Sequence, residues 1–262
     1  MKTTEISPCR ILPGFKPVFE LLQFSPAKIL KILYKKNLKD EGKLRQLSDR
    51  EGIPLEIAEQ GRLDSLCADF GHAVAHQGVI AFLKTMPPLS LNQMLDELPT
   101  SPLPILLALD QINDPGNLGT LARTAWALGA GGILLPEHGS VKAGPAAMKS
   151  SAGALGLVPL CVVANLAKAL DFAEENGLAI YGTGMEQDHA KIPLLNAFSM
   201  SWQLPAVLIL GNEAKGIRPG VQKRCQYLIN IPFNRPFDSL NIAQAGAILL
   251  GLCAASQAAS FA

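Results

Sequence analysis

Three places in the chain hold polar side chains at spacings that could do chemistry. Asp238, Ser239 and Asn241 stand just ahead of a tail that carries no Asp, Glu, Lys or Arg from Ser239 to Ala262. A helix that is apolar on every side must be buried on every side. The polar mouth would therefore sit at the start of a rigid element whose first backbone N–H groups are left over for a ligand. Asn117 and Arg123 lie in Asn117-Leu-Gly-Thr-Leu-Ala-Arg123, and Glu213 lies in Leu210-Gly-Asn-Glu-Ala-Lys-Gly216.

Competing motifs fail on spacing. His72 and His76 are four apart, but no Glu lies between them and the nearest thiol is Cys67, so a loop that orders a strand is a better reading than a metal site. Tyr181-Gly-Thr-Gly184 lacks the third glycine of a dinucleotide fingerprint. Gly211 and Gly216 have the separation of a phosphate-binding loop, yet Ile217 occupies the position of its lysine. Five scattered cysteines with no C-x-x-C pair suggest buried thiols in a reducing compartment.

The elements that must position these residues alternate after about residue 105. Apolar strands are expected at 105–109, 132–135, 157–163, 178–181, 206–210 and 228–231, and helices at 118–128, 166–176, 219–225 and 240–256. Short, wholly apolar strands between helices imply an α/β domain with a mainly parallel sheet. Ligands bind beyond the carboxyl ends of such strands, which is where Asn117, Glu213 and the 239–241 mouth follow. Asn117 is read as the cap of its helix, with Leu118, Leu121, Ala122 and Ala125 facing inward and Arg123 in a close-packed setting among small residues. Asn241 falls inside the last helix, where asparagine has little local reason to be. Glu213 is read as a loop brace that accepts N–H bonds.

Residues 1–84 carry short elements and mixed charge, and a proline-rich linker is expected over 85–104, with 105–262 as the second domain. Ser25-Pro26 reads as a helix start, putting Lys28, Lys31 and Lys35 on one face as a phosphate-contacting stripe, with Lys36, Lys39, Lys43 and Arg45 close behind. With 23 Lys plus Arg against 22 Asp plus Glu, any basic surface must be local. The strongest apolar run of the tail, 245–255, is about half of the ~20 residues that a membrane span needs, so a core or subunit-interface helix is expected. No secretory signal is seen, and the expected location is cytoplasmic.

Asn117-x-Gly119 with Arg123, then Leu210-Gly-Asn-Glu213 with Gly216, then Ile231-Pro232 followed by Ser239-Leu-Asn-Ile242, resemble in order the three signature motifs of the SpoU/TrmH family of RNA ribose 2′-O-methyltransferases. Ser151-Ala-Gly-Ala154 fits between the first two. This likeness covers about residues 105–255. Gly14, Gly52-Ile-Pro and His76-Gln-Gly-Val make residues 1–84 similar to the L30e-like substrate-binding domain of many members.

The resemblance implies a SPOUT-type α/β domain with a C-terminal trefoil knot, S-adenosylmethionine as methyl donor, and a homodimer with active sites at the subunit interface; no metal and no membrane are implied. By position it assigns Gly211, Ile231 and Leu240 to hold the cofactor through backbone groups, with Thr183 and Gly184 lining the pocket. Asn117, Arg123, Glu213, Ser239 and Asn241 match the reacting end. Phe233, Asn234-Arg235 and Ala243 depart from the usual pattern at the rim, which bears on substrate identity. A guanidinium with a pKa above ~12 is a reluctant base, so Arg123 is expected to orient the ribose and stabilise alkoxide charge. By analogy the substrate is 23S-type ribosomal RNA; the alternatives are a transfer RNA enzyme or a non-catalytic RNA-binding factor on the same fold.

Overall fold

The computed structural model describes residues 11–68, 76–84, 88–184, 192–235 and 239–260. His72 and Asp238, singled out above, lie outside these residues. The first elements are β1 (Ile11–Pro13), α1 (Phe15–Phe24), β2 (Ile29–Tyr34), α2 (Glu41–Glu51), β3 (Leu55–Ile57), α3 (Gln60–Ala68) and β4 (Val79–Leu83). There follow α4 (Leu91–Glu97), β5 (Leu103–Leu109), α5 (Pro115–Ala127), β6 (Ala130–Pro136), α6 (Pro145–Ser150), β7 (Leu160–Val163) and α7 (Leu166–Glu175). The chain closes with β8 (Ala179–Thr183), β9 (Leu194–Asn196), β10 (Ala206–Leu210), α8 (Pro219–Gln222), β11 (Tyr227–Asn230) and α9 (Ile242–Ser260).

One compact unit contains the described residues up to 84 together with 143–157. Its four strands are ordered β1-β4-β2-β3, with β2 and β3 parallel and the other pairs antiparallel. Ile11, Leu33, Ala58, Leu63, Cys67 and Ile80 pack together inside it. His76 is buried and closes the turn into β4: its Nδ1 accepts from Gly78 N at 3.0 Å, while its Nε2 lies 2.8 Å from Asp64 Oδ1.

The helix expected after Ser25 is not formed. Pro26–Lys28 make one 3-10 turn, and the chain then extends as β2. In Ile-Leu-Lys-Ile-Leu-Tyr the apolar spacing suits either state, and pairing to β3 and β4 on both sides, with β-branched Ile29 and Ile32 fully buried, decides it. The lysine stripe dissolves with the helix. Lys28 Nζ donates to Leu157 O at 3.2 Å, Lys31 Nζ pairs with Glu56 at 3.0 Å, and Lys35 is left exposed beside Lys36 and Lys39.

The second unit contains residues 88–142 and 158–260 as described. Seven strands, all parallel to their neighbours, are ordered β7-β6-β5-β10-β8-β11-β9. All five residues of β10 are buried, and Leu208 is in register with Leu107 of β5 and Tyr181 of β8. An uninterrupted apolar run suits a strand covered on both faces. β10 lies between β5 and β8 and is parallel to both, so the loops after all three emerge at one carboxyl edge.

Helix starts follow side-chain chemistry. Ser90 and Gln93 form a reciprocal capping box on α4, and Asn165 caps α7 through Lys168 N at 3.1 Å. The cap of α5 is Asp114, which accepts from Gly116 N and Asn117 N, with Pro115 at the first helical position. Asn117 is thus in the first turn and its side chain is released for other use, a correction to its reading as the cap. The uncharged α9 crosses α5 at Gly246, where a Cβ would collide with Leu121 and come within 2.8 Å of Leu210 Cδ1. Among the described residues no helix is long and apolar enough to cross a membrane.

The described cysteines, Cys67, Cys161, Cys225 and Cys253, are free and buried. Burial pushes the Cys161 thiol up to about 11 and those of Cys225 and Cys253 to about 12. Unfolded thiols ionise near pH ~8.5. Between that pH and the native values the unfolded chain holds fewer protons than the native one, so stability falls as pH rises. At pH 8, iodoacetamide is expected to spare these three residues in the native protein and to modify them in urea. Rapid native labelling, read by mass spectrometry, would contradict their placement.

Candidate active site

Three segments far apart in sequence meet at one carboxylate oxygen. Glu213 follows β10, Asn117 lies in the first turn of α5, and Asn241 directly precedes α9. Glu213 Oε1 accepts from Asn117 Nδ2 at 3.0 Å, from Asn241 Nδ2 at 2.9 Å and from Ile242 N at 3.2 Å. Asn241 Nδ2 also donates to Asn117 Oδ1 at 3.0 Å. Every donor is neutral, and the carboxyl group stands at the positive end of α9.

Asn241 has a second task that its expected position inside the helix concealed. Its Oδ1 accepts from Ala243 N at 2.9 Å and Gln244 N at 3.4 Å, which is the bonding pattern of a helix cap. The helix therefore begins at Ile242, two residues later than expected, and the asparagine side chain is fully used: oxygen to the helix, nitrogen to the cluster.

The loop that carries Glu213 is a closed ring. Asn212 N donates to Gly216 O at 2.9 Å and Gly216 N to Asn212 O at 2.8 Å. Asn212 Oδ1 accepts from Ala214 N and Lys215 N, and Asn212 Nδ2 donates to Gln111 O at 3.0 Å. Gly211 is required where this ring closes, because a Cβ there would collide with the backbone of Gly216 and Ile217. Asn212 was not singled out in the sequence; an amide at the turn of a glycine-flanked loop is the signal that could have found it.

Beside the cluster, at the carboxyl ends of β8, β10 and β11, stand Thr183 and Gly184, then Gly211, then Ile231, with Leu240 ahead of α9. Thr183, Gly184, Ile231 and Leu240 are half-buried and Gly211 is buried. Among the described residues the backbone groups of Gly211, Ile231 and Leu240 make no hydrogen bond. Ser239 is half-buried two residues from Asn241.

Arg123 does not join the cluster. It lies six residues beyond Asn117 on α5, about 240° around the helix, and its side chain is exposed. The close-packed face of α5 is made by Leu118, Leu121, Ala122 and Ala125, so the small residues flanking Arg123 are not a packed setting for it. Trp126, one turn on, is 42% exposed.

A parallel sheet whose loops converge at its carboxyl edge, around an amide-bound carboxylate and backbone groups that make no hydrogen bond among the described residues, defines an α/β protein with a candidate ligand site at that edge. The chain belongs to the SpoU rRNA Methylase family, which matches residues 104–251. Residues 11–89 match a second family, RNA 2′-O ribose methyltransferase substrate binding. The Escherichia coli (strain K12) protein 23S rRNA (guanosine-2′-O-)-methyltransferase RlmB is 30% identical over 239 residues, covering 90% of this chain and 94% of the relative. Its counterpart of the same name in Shewanella oneidensis is 31% identical over 242 residues, covering 92% and 94%. Among solved structures, the SpoU methyltransferase AviRb from Streptomyces viridochromogenes in complex with the cofactor AdoMet shares the fold, with a TM-score of 0.71 at 23% identity over 95% of this chain and 90% of that one. An AdoMet-bound rRNA methyltransferase from Sinorhizobium meliloti gives 0.67 at 22%, over 93% and 86%.

The geometry separates the two tasks of Asn241. Asn241→Ala removes the cap and is expected to cost ~1 kcal/mol. Asn241→Asp keeps a capping oxygen but sets a second carboxylate against Glu213. Repulsion raises one of the two native pKa values above the unfolded ~4. The native state then holds more protons than the unfolded one, so the variant should lose stability as pH rises from 4 to 7. Urea midpoints across that range that run parallel to the unmodified protein would refute the contact.

Proposed function

We propose that this protein transfers a methyl group from S-adenosylmethionine to the ribose 2′-oxygen of a nucleotide in 23S-type ribosomal RNA. The observation that carries this reading is the Asn117–Glu213–Asn241 cluster, which joins all three family motifs at the carboxyl edge of the parallel sheet. Relatives covering nine-tenths of the chain carry that activity in their names.

The residues present fit the cofactor. Ile231 and Leu240 offer half-buried apolar walls, Thr183 a hydroxyl, and Gly211, Ile231 and Leu240 unpaired backbone groups suited to the edges of a purine and an amino acid. When bound, the cofactor supplies an electrophilic sulfonium methyl group. This chain supplies position: Glu213, with one oxygen saturated by three donors, fixes the first turns of α5 and α9 against the β10 loop, and alignment of a bound hydroxyl in such a site accounts for much of a transfer rate. Ser239 and Asn117 are assigned to the reacting end as polar contacts to the ribose.

Arg123 is assigned to hold the ribose and phosphate and to stabilise negative charge on the attacking oxygen, since a guanidinium keeps its proton. Its exposure on the face of α5 that also presents Trp126 supports a homodimer in which that face meets the site of a second copy. A monomer mass by analytical ultracentrifugation at micromolar concentration would remove this part of the reading. The trefoil knot belongs to the same proposal, supported by the insertion of β10 between β5 and β8. A ribosomal RNA substrate carries with it a cytoplasmic location.

RNA contact is assigned to the β2–α2 loop. Lys35, Lys36 and Lys39 are exposed there, whereas Lys28 and Lys31 are engaged within the protein. In the test, radiolabelled methyl transfer to total bacterial RNA is followed by mapping of the modified nucleotide, with Lys35→Glu/Lys36→Glu/Lys39→Glu alongside. The expected result is a 2′-O-methylated nucleotide in 23S RNA, with the triple variant showing a raised KM for RNA and a shallower salt dependence, by roughly 0.7–0.9 per lost contact in log–log slope. Label in transfer RNA alone would identify a transfer RNA enzyme, no label in any RNA would indicate a binding factor, and an unchanged KM would move the RNA contact elsewhere.

A further inference from the structure

Asp110, the first residue after β5, is the one carboxylate among the described residues with no exposure. Both of its oxygens are taken by a single partner. Oδ2 accepts from Arg218 N at 2.8 Å, Oδ1 accepts from Arg218 Nε at 2.8 Å, and Nη2 lies 2.6 Å from Oδ1 as an ion-pair contact. The Asp110 backbone N donates to Leu210 O at 2.9 Å, and the next carbonyl, that of Gln111, accepts from Asn212 Nδ2. The loop 211–217 therefore leaves β10 at a residue bonded to Asp110 and returns at a residue gripped by the Asp110 carboxylate. Neither Asp110 nor Arg218 touches the Asn117–Glu213–Asn241 cluster.

A carboxylate taken fully out of water is costly, and such a pair is weak evidence for stability in its own right. An apolar pair of similar volume would close the same space at lower cost. What apolar packing could not supply is a fixed direction: one carboxylate oxygen held by the guanidinium Nε–H and the other by the same residue's backbone N–H set the rotation of the loop's end as well as its location.

We propose that Asp110 and Arg218 are positioning residues that hold both ends of the 211–217 loop, and so set where Gly211 meets the cofactor and where Glu213 meets α5 and α9. This deepens the proposed function and rests on it for the identity of the cofactor. Neither residue is assigned a contact with substrate.

Arg218 is 39% exposed along its side chain, so its site can be reached from solvent. That makes chemical rescue the test. In the full-length protein, Arg218→Ala is expected to weaken S-adenosylmethionine binding about tenfold by calorimetry and to slow single-turnover methyl transfer about 10- to 100-fold, the scale of a displacement of about 1 Å at a reacting centre. Millimolar guanidinium should restore binding and rate several-fold, whereas ammonium at equal concentration should not. A brace that serves stability alone would lower the urea midpoint with binding and rate per folded molecule unchanged, and would overturn the proposal. So would a folded, impaired variant that guanidinium fails to rescue. If Arg218→Ala does not fold, Arg218→Lys, which keeps the charge but loses the Nε–H donor to Asp110, must show the same losses in cofactor binding and rate; wild-type values there would overturn the proposal. The calorimetric arm needs no RNA: a wild-type protein that binds the cofactor and methylates no RNA defeats the functional reading, while the effect of Arg218 on binding still decides this one.

Discussion

One oxygen atom, Glu213 Oε1, is where three segments of the second unit converge on the candidate site. It receives donors from residues 96 and 28 positions away in sequence, together with the first backbone N–H of α9. In an unfolded chain such a convergence would be opposed by the loss of conformational freedom of every segment involved. Here each segment is anchored independently: the first turn of α5 by Asp114, the 211–217 ring by its internal bonds and by Asp110, and the start of α9 by Asn241 itself. Little freedom remains to be lost when the three meet, which is the physical content of preorganisation.

That anchoring depends in turn on the sheet. The buried strand β10 aims the Glu213 loop, and its neighbours β5 and β8 end at the same edge, so that Asp110 and Thr183 flank the exit of the loop. α9 must approach α5 closely for Asn241 to reach Asn117, and Gly246 permits this, since any larger residue would strike Leu121 and Leu210. The absence of charge along α9, conspicuous in the sequence, is thereby tied to the position of two amide groups at its start.

Six of the seven strands after residue 103, all but β9, and the helices α5, α7, α8 and α9 are legible because each is an uninterrupted apolar run or a helical period bounded by glycine, proline or a cap. The three motif segments were legible as well, though two of their asparagines were misjudged. Asn117 has the side chain of a cap, but Asp114 three residues earlier, with Pro115 after it, takes that position through two N–H bonds. Asn241 was read as interior because nothing apolar distinguishes the mouth of α9 from its body. Arg123 was misjudged from its small neighbours, which identify its helix as closely packed but not the face on which the arginine lies. In the first unit, β2 and a helix share one apolar pattern, and only the pairing with β3 and β4, invisible in sequence, separates them. The three-residue edge strand β9, the six-residue α6 and the mainly polar α2 carry too weak a periodic signal. α1 does carry an apolar period at Val18, Leu21 and Leu22 that sequence reading passed over, and the pair Asp110–Arg218 is joined across 108 positions that no local rule spans.

The proposed function has Asn117, Glu213 and Asn241 acting as one unit rather than as three separate contacts. A double-mutant cycle on single-turnover methyl transfer, with Glu213→Ala, Asn117→Ala and their combination, tests it most directly. Either single variant is expected to disengage α5 from the loop, with the double variant scarcely slower than the worse of the two. Losses that multiply, each substitution acting as though the other residue were absent, would contradict it.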